Sequence, residues 1–248
     1  MQMIQPVQSP NYFSLVNGNQ PPPIITVSQE LIDYTISPTN IVLFHGRHYL
    51  NSLYRSPMVI ENFEYPSVEH YYQACKLYTL AGSENARRMS RVVDPPQCKS
   101  TARSILDGLN VRKQQVDSWR RTEAPEILVI ANLNKFAQNP ELRQKLLATG
   151  DALLVHAFEK DDLYAVGMSE ETTKKWATAN DGKNIKVPRY FYRDWFLQPH
   201  RLPSYNVRGR NILGVILMMI REAFRPERGR ADPRLVGLLN DMRSPRRF

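Results

Sequence analysis

The sequence has no long hydrophobic run and little cysteine, and each absence excludes a class of protein. No apolar stretch in its 248 residues approaches the roughly 20 residues that a transmembrane helix needs. The opening stretch, MQMIQPVQSP, has neither the basic start nor the apolar centre of a signal peptide. Its two cysteines, Cys75 and Cys98, cannot build a disulfide framework. We therefore expect an intracellular protein, cytoplasmic or nuclear, that does not contact a membrane.

The motifs of several common enzyme classes are also missing. The sequence contains no Gly-rich dinucleotide fingerprint, no Walker loop and no nucleophile elbow. Five histidines are present, but their spacing is not that of a metal-ligand set. We therefore predict neither a metal site nor a cofactor.

The net charge of +9 is concentrated towards the end of the chain. Residues 221–248 contain eight arginines against four acidic residues, a net charge of +4. A basic segment of this kind is more often a solvated, nonspecific electrostatic surface than a reader of sequence. Nucleic acid is the partner that such a tail would bind.

Composition divides the chain into three regions. Residues 1–39 are rich in Pro, Gln, Asn and Ser, which predicts a low-complexity arm outside the folded core, although SQELIDY could form one turn of helix. Residues 40–224 form the predicted domain, with an aromatic-rich insertion near 169–206. Residues 225–248 form the predicted basic tail. The sequence has no internal repeats, and its length suits one sizeable core.

Hydrophobic periodicity and turn signals predict an α+β fold that is mostly helical with a small sheet. Buried strands are expected over 41–44 and within DALLVHAF, and SPMVIENFEYPS is typical of a hairpin that turns at Glu61 and Asn62. The stretch GRNILGVILMMIREAF predicts a strongly apolar helix. The other predicted helices are Val68–Ala81, Ser83–Val92, Thr101–Leu109, Gln114–Arg121, Glu126–Gln138 and Pro140–Thr149.

The helix predicted after Ser67, a well-placed cap, has two stripes. Its apolar stripe consists of Val68, Tyr71, Tyr72 and Cys75. Glu69, Gln73 and Lys76 form a second, polar stripe. The helix dipole accounts for a carboxylate in the first turn, but not for the other two residues. If this stripe faces a cavity, the positive potential favours an ionised Glu69. An ionised carboxylate suits an electrostatic stabiliser, nucleophile or base better than a proton donor.

Three further segments contain candidate site residues that also have an ordinary structural explanation. Asp161 and Asp162 follow a predicted strand, where loops often carry chemistry, but a solvated acidic turn is the more common explanation. Trp119 could be a stacking surface or a core residue. The segment RGRN at 208–211 could seat a phosphate at a helix start, although it is also an ordinary beginning of a helix.

These segments, taken in order, resemble the NADAR family, whose members have a YbiA-like fold. YPSVEHYYQACK, Trp119, LLVHAFEKDDLYAVG and GRNILGVILMMIRE match successive parts of the family pattern over about residues 41–224. Members of the family are similar in hydrolysing N-glycosidic bonds to a ribose. Their known substrates are ribosylamino-pyrimidine phosphates and, in other members, ADP-ribose attached to guanine in DNA.

The resemblance implies both a site and a reaction. It assigns catalytic roles to Glu69 and Asp161. Substrate contacts are expected from Ser52, His70, Gln73, Lys76, Trp119, Tyr164, Arg210 and Asn211. Cleavage of a C1′–N bond builds positive charge on the ribose, which an ionised carboxylate stabilises, while Lys76 and Arg210 could hold a phosphate. The expected partner is a ribosylated or ADP-ribosylated nucleotide.

The chain departs from the family pattern at the expected rim of the pocket. Ser52 replaces an Asn, His156 replaces a Glu, and Tyr164 and Ala165 replace a Trp-Gly pair. Two alternatives to an N-glycosidase remain open. One is a module that binds ADP-ribose or a nucleotide without turnover, and the other is a nucleic-acid-associated protein that binds through its basic tail.

Overall fold

The structure, a computed structural model, describes residues 31–191, 205, 207–227 and 231–243. The strands in these ranges are β1 (Leu31–Thr35), β2 (Ile41–Phe44), β3 (Met58–Ile60), β4 (Phe63–Tyr65), β5 (Leu153–His156) and β6 (Asn184–Pro188). The α-helices are α1 (Val68–Ala81), α2 (Ser83–Arg87), α3 (Pro95–Gly108), α4 (Lys113–Thr122), α5 (Ala124–Gln138), α6 (Pro140–Ala148), α7 (Glu170–Ala179), α8 (Ile212–Phe224) and α9 (Pro233–Arg243). A 3₁₀ turn over Arg88–Arg91 follows α2. No helix in the described ranges is both long and apolar enough to cross a membrane.

The fold is α+β and mostly helical, which confirms the prediction. Its described strands pair two by two: β1 with β6 antiparallel, β2 with β5 parallel, and β3 with β4 in a hairpin. Parallel pairing places the carboxyl ends of β2 and β5, Phe44 and His156, opposite each other. The loops that follow these two strands therefore leave from the same edge.

Two apolar helices form the centre of the core. All the residues of α8 are buried, and so are those of α5 from Ile127 to Phe136. A helix that is mostly apolar is stable only when it is covered on every side, and the few polar residues of these helices, among them Lys135 and Arg221, are buried as well. The apolar helix predicted near the end of the domain is thus confirmed as α8, and the rest of the fold packs around it.

The predicted elements near the site agree with the observed ones. The hairpin turn is at Glu61 and Asn62, whose φ angles of 52° and 69° suit a two-residue turn of the primed type. Helix α1 has the predicted bounds. Helix α3 begins at Pro95 rather than at Thr101, because prolines are tolerated in the first turn of a helix.

The prediction that residues 1–39 lie outside the folded core is wrong for residues 31–36. The suggested helical turn there is the strand β1, because Ile32, Tyr34 and Ile36 alternate with exposed or half-buried residues and are buried. The hydroxyl of Tyr34 donates to Glu222 Oε1 at 3.2 Å and accepts from Arg221 Nη2 at 3.3 Å. Residues 1–30 lie outside the described part of the chain.

The predicted domain end at residue 224 is also too early, and the predicted insertion is partly regular structure. Helix α9 packs on α8 and buries Leu235 and Leu239 completely. The carboxylate of Asp232, just before α9, accepts a hydrogen bond from the backbone N–H of Phe191 at 2.8 Å. Within the region near 169–206, α7 and β6 belong to the fold, while residues 192–204 lie outside the described ranges.

Candidate active site

Ser67 begins α1 and orients its polar stripe. Its hydroxyl oxygen accepts a hydrogen bond from the backbone N–H of His70, which confirms it as the cap. Burial lowers the pKa of His70, so the ring is neutral at neutral pH. Its Nε2 therefore donates to the Val92 carbonyl at 3.0 Å, and its Nδ1 accepts from the Ser67 hydroxyl at 2.7 Å. Both ring nitrogens have protein partners, so His70 supports the helix start rather than offering a polar atom to a substrate.

The stripe of Glu69, Gln73 and Lys76 is not a solvated face. Gln73 is 2% exposed and Lys76 is 8% exposed, although each has a polar end. The amide Nε2 of Gln73 lies 2.6 Å from Oε1 of Glu69, and the carbonyl Oε1 of Gln73 is buried without a hydrogen-bond partner among the described residues. Burial lowers the pKa of Lys76 to about 8, against the opposing effect of the Glu69 charge. Gln73 and Lys76 are therefore buried polar residues, and Glu69 beside them is half-buried.

Tyr72 lies at the centre of the neighbouring groups. The ammonium nitrogen of Lys76 is 6.0 Å from its ring centroid. Its ring packs edge to face against the ring of Tyr164, with centroids 6.4 Å apart. The charges of Arg120, Glu69 and Asp161 all act electrostatically on its hydroxyl. Tyr72 is thus the common neighbour of groups from α1, from α4 and from the loop after β5.

Trp119 packs against Tyr72 in this cluster and is not an open stacking surface. It is 2% exposed, and Tyr72 packs against it edge to face, with ring centroids 5.1 Å apart and an angle of 74° between the rings. Helix α4 turns Trp119 inward and the next residue, Arg120, towards the surface. The indole N–H of Trp119 is buried without a hydrogen-bond acceptor in the described part of the chain.

Asp161 has protein partners at both carboxylate oxygens. Oδ1 accepts hydrogen bonds from the backbone N–H groups of Leu163 and Tyr164, each at 2.9 Å, a side-chain turn typical of Asp. Oδ2 lies 3.2 Å from Nη2 of Arg120. The Arg120 guanidinium is also 5.6 Å from the Tyr164 ring centroid, and the Tyr164 hydroxyl donates to the Arg120 carbonyl at 2.5 Å. The loop and α4 are therefore joined at three points.

Cations outnumber carboxylates around this cluster. Lys99 and Arg103, one turn apart on α3, are exposed and, with Arg120, act electrostatically on Lys76. With Lys76 they make four cations, against the two carboxylates Glu69 and Asp161, so the cluster has an excess of positive charge. A cleft of about 450 Å³ lies on the other flank of α3 and includes no member of the cluster.

The start of α8 holds the Asp161 loop, so the predicted phosphate seat there is wrong. The backbone N–H groups of residues 209–213 donate to the carbonyl oxygens of residues 162–166 at 3.0–3.3 Å, so they are not free to bind a phosphate. This pairing needs a glycine at position 209, because a Cβ there would lie 2.3 Å from the Ala165 carbonyl oxygen. Arg210 itself is exposed, and its predicted contact with a substrate stays a prediction.

Asn211 joins strand β5 to the start of the central helix α8 instead of presenting a polar group to a substrate. It is fully buried. Its Oδ1 accepts from the backbone N–H of His156 at 2.9 Å, and its Nδ2 donates to the Leu154 carbonyl and to the Tyr205 hydroxyl at 2.9 and 2.8 Å. These bonds also hold the left-handed backbone of Asn211, whose φ is 53°.

The two departures from the family pattern at Ser52 and His156 are both buried. The Ser52 carbonyl accepts from the backbone N–H of Glu69 at 3.0 Å, which fixes the loop after β2 on the start of α1. Burial lowers the pKa of His156 to about 4, so its ring is neutral. Its Nδ1 lies 3.4 Å from the Tyr164 carbonyl, and its Nε2 lies 3.4 Å from the amide nitrogen of Asn51. Position 156 therefore adds no second charged group.

The structure brings together six of the predicted site residues and separates others from them. The clustered residues are Glu69, Gln73, Lys76, Trp119, Asp161 and Tyr164. His70 supports the start of α1, and Asn211 supports the contact between β5 and the start of α8. Sequence reasoning missed Arg120, which follows directly after Trp119, and treated Tyr72 only as part of the apolar stripe. The described residues include no group of three or more His, Cys, Asp or Glu that could hold a metal ion.

Comparison with known proteins identifies the family. The NADAR domain matches residues 40–186, more than half of the chain, and the chain therefore belongs to the NADAR family. It is similar to a solution NMR structure of the Escherichia coli protein YbiA, with a TM-score of 0.50 and 19% identity over 89% of this chain and 95% of that one. This likeness supports a YbiA-like fold.

Two curated relatives have names that describe an activity. The chain is 26% identical over 159 residues to the N-glycosidase R617 of Acanthamoeba polyphaga mimivirus, covering 64% of this chain and 74% of that protein. It is also 26% identical over 178 residues to the riboflavin biosynthesis protein VVA0006 of Vibrio vulnificus. That match covers 72% of this chain but 35% of the Vibrio protein. The relatives support a general N-glycosidase role for the family.

Proposed function

We propose that the protein is an N-glycosidase that hydrolyses the bond between a ribose C1′ and a base or amine nitrogen. Its substrate class is a ribosylated or ADP-ribosylated nucleotide, such as a ribosylamino-pyrimidine phosphate or an ADP-ribosyl-guanine. Family membership and the named N-glycosidase relative support the reaction type. The cluster around Glu69 supports the location of the site.

The position of Glu69 is the observation that carries the proposal. Breaking a C1′–N bond leaves positive charge on the ribose. A carboxylate whose position is fixed before the reaction stabilises that charge without having to reorganise. The Gln73 amide fixes the Glu69 carboxylate at 2.6 Å, and the Ser52 carbonyl fixes its backbone. Glu69 would therefore stabilise the developing cation or align the attacking water.

Two buried polar atoms, one in Gln73 beside Glu69 and one in Trp119 beside Tyr72, support a ligand at this place. Buried donors and acceptors in native proteins nearly always have a partner, and exceptions often mark functional sites. The carbonyl of Gln73 and the indole N–H of Trp119 are such exceptions among the described residues. A substrate with hydroxyl donors and carbonyl or ring-nitrogen acceptors, as in a ribosylated base, could satisfy both.

The experiment that tests the proposal is a substrate panel with a matched carboxylate control. The protein is incubated with ADP-ribosylated guanine DNA, ADP-ribose-type nucleotides and ribosylamino-pyrimidine phosphates, and released base or sugar is detected by mass spectrometry. Glu69→Gln should slow release from whichever substrate is cleaved by about 10²–10³-fold. Glu141→Gln, which changes an exposed carboxylate in the first turn of α6, should leave the release unchanged. No release from any substrate, or equal release by both variants, would contradict the proposal.

A binding module without turnover is the second candidate. It is favoured by the neutral, buried His156, which adds no charged group where the family pattern has a Glu. If this candidate holds, a panel substrate binds wild-type protein and Glu69→Gln equally well, and neither releases a base.

The third candidate, nucleic-acid binding through the tail, applies to a shorter segment than predicted because α9 is packed on α8.

A further inference from the structure

Arg120 is held in a fixed direction beside the Glu69 stripe. Its guanidinium contacts the Asp161 carboxylate at 3.2 Å and lies 5.6 Å from the Tyr164 ring centroid. Its side chain is 34% exposed, so part of the planar group faces outward from these supports. An arginine whose orientation is fixed loses little freedom when it binds a carboxylate or a phosphate.

Asp161 has the geometry of a support for Arg120. One of its oxygens holds the loop backbone and the other holds the guanidinium. A carboxylate that also acted on the ribose would have to exchange one of these partners for the substrate. Arg120, by contrast, has five N–H donors, and its described contacts leave donors free for a ligand.

The surrounding charges favour an anionic ligand at this place. Lys76 lies on one side of Tyr72, and Lys99 and Arg103 form an exposed pair on α3. Two carboxylates, Glu69 and Asp161, balance only half of these four cations. A doubly charged group such as a phosphate or a diphosphate would neutralise the two remaining positive charges. The ribose attached to it would then lie beside Glu69.

We propose that Arg120 binds a phosphate of the substrate, with Lys99 and Arg103 at its outer rim, and that Asp161 is the positioning residue for Arg120. This inference rests on the proposed function for the location of the substrate, but it does not require turnover. The phosphate contact, which the sequence predicted at the start of α8, is thereby assigned to α4. It also leaves Glu69 as the carboxylate that acts on the ribose.

Binding experiments test the phosphate contact independently of catalysis. Isothermal titration calorimetry measures the affinity of ADP-ribose, pyrophosphate and adenosine for wild type, Arg120→Met and Arg120→Lys. The control is Lys113→Met, which removes an exposed cation at the start of the same helix. Arg120→Met should weaken ADP-ribose and pyrophosphate binding by about 10- to 100-fold, the range for a charged hydrogen bond. It should leave adenosine binding and the control unchanged, and Arg120→Lys should restore part of the affinity.

A double-mutant cycle tests the positioning role of Asp161. Asp161→Asn keeps an oxygen for the loop N–H groups but removes the charge that holds Arg120. We expect it to lower the affinity for ADP-ribose in the wild-type background and to have no further effect in the Arg120→Met background. A merely structural role for Asp161 would change the affinities for adenosine and ADP-ribose together.

The outcomes separate this inference from the proposed function. Arg120-dependent binding of ADP-ribose without release of any base would uphold the phosphate site and contradict the glycosidase. Base release with phosphate binding that is indifferent to Arg120→Met would uphold the glycosidase and overturn the inference. Loss of adenosine and ADP-ribose binding to the same extent in Arg120→Met, or no binding of either phosphate ligand to wild type, would also overturn it.

Discussion

The side-chain amide of Gln73 donates to the carboxylate of Glu69 across one turn of α1, at 2.6 Å. This contact joins a residue that is 2% exposed to the carboxylate at the centre of the proposed mechanism. The other end of the amide, the carbonyl oxygen of Gln73, is buried without a hydrogen-bond partner among the described residues. The effect of Gln73 on the reaction can therefore be separated from its effect on the fold.

Gln73→Leu should slow the reaction with little loss of folding. Leucine fills a similar volume but cannot hold the Glu69 carboxylate in place. Hydrogen bonds to charged groups contribute about 1.5–3 kcal/mol, so we expect kcat/KM to fall by about 10- to 100-fold on the substrate found in the panel. Gln114→Leu, at an exposed position of α4, is the matched control. A wild-type rate for folded Gln73→Leu would show that Glu69 does not need this partner.

Lys135 should make the stability of the protein depend on pH. It is fully buried, donates to the Asn51 carbonyl at 3.1 Å, and burial lowers its pKa to about 7 from its usual 10.5. Below pH 7 the folded and unfolded chains both carry the proton, so the cost of the buried charge is fully present. Between pH 7 and about 10 the folded chain releases the proton first, so stability should rise, by up to about 1.4 kcal/mol per pH unit.

Urea unfolding at pH 7 and pH 9 checks this expectation. The part of the rise that is due to Lys135 should disappear in Lys135→Met and remain in Lys145→Met, which changes an exposed lysine. An identical pH dependence in wild type and Lys135→Met would contradict the account of the buried ammonium group.

Gly214→Ala should destabilise the fold strongly because α8 approaches β5 very closely there. A Cβ at Gly214 would lie 2.3 Å from the Leu154 carbonyl oxygen, and backbone atoms cannot move aside cheaply. We expect a loss of about 1–3 kcal/mol, the usual cost of overpacking in a core. Gly237→Ala in α9 meets nothing within 4 Å and should be neutral or stabilise by up to about 1 kcal/mol. The melting temperature of Gly214→Ala should therefore fall, while that of Gly237→Ala should stay the same or rise.

Local sequence signals predicted much of the fold near the site. The cap at Ser67 and the prolines at 66 and 140 marked where helices begin, and Glu61 and Asn62 marked the hairpin turn. The strand β1 was missed because its neighbours are rich in Pro, Gln and Asn, and its partner β6 lies about 150 residues later. Pairing over such a distance leaves no local pattern to recognise.

The candidate site was predictable where one helix determines it and unpredictable where separate segments meet. The Glu69 stripe follows from helical spacing alone. The contact between Arg120 and Asp161 depends on how α4 packs against the loop after β5. The same holds for Tyr72, which was expected on a packing face but lies beside Lys76, Trp119 and Tyr164. Likewise, the start of α8 resembled an anion site until its N–H groups were found paired with residues 162–166.

Single-turnover kinetics of Glu69→Gln test the central claim most directly. Glutamine keeps the size and reach of the side chain but removes the negative charge that the cationic transition state requires, so kcat should fall while KM changes little. We expect a loss of about 10²–10³-fold, the usual effect of removing one well-placed electrostatic partner, with a melting temperature close to that of wild type. A folded Glu69→Gln protein that turns over substrate within a few-fold of the wild-type rate would contradict the proposed mechanism.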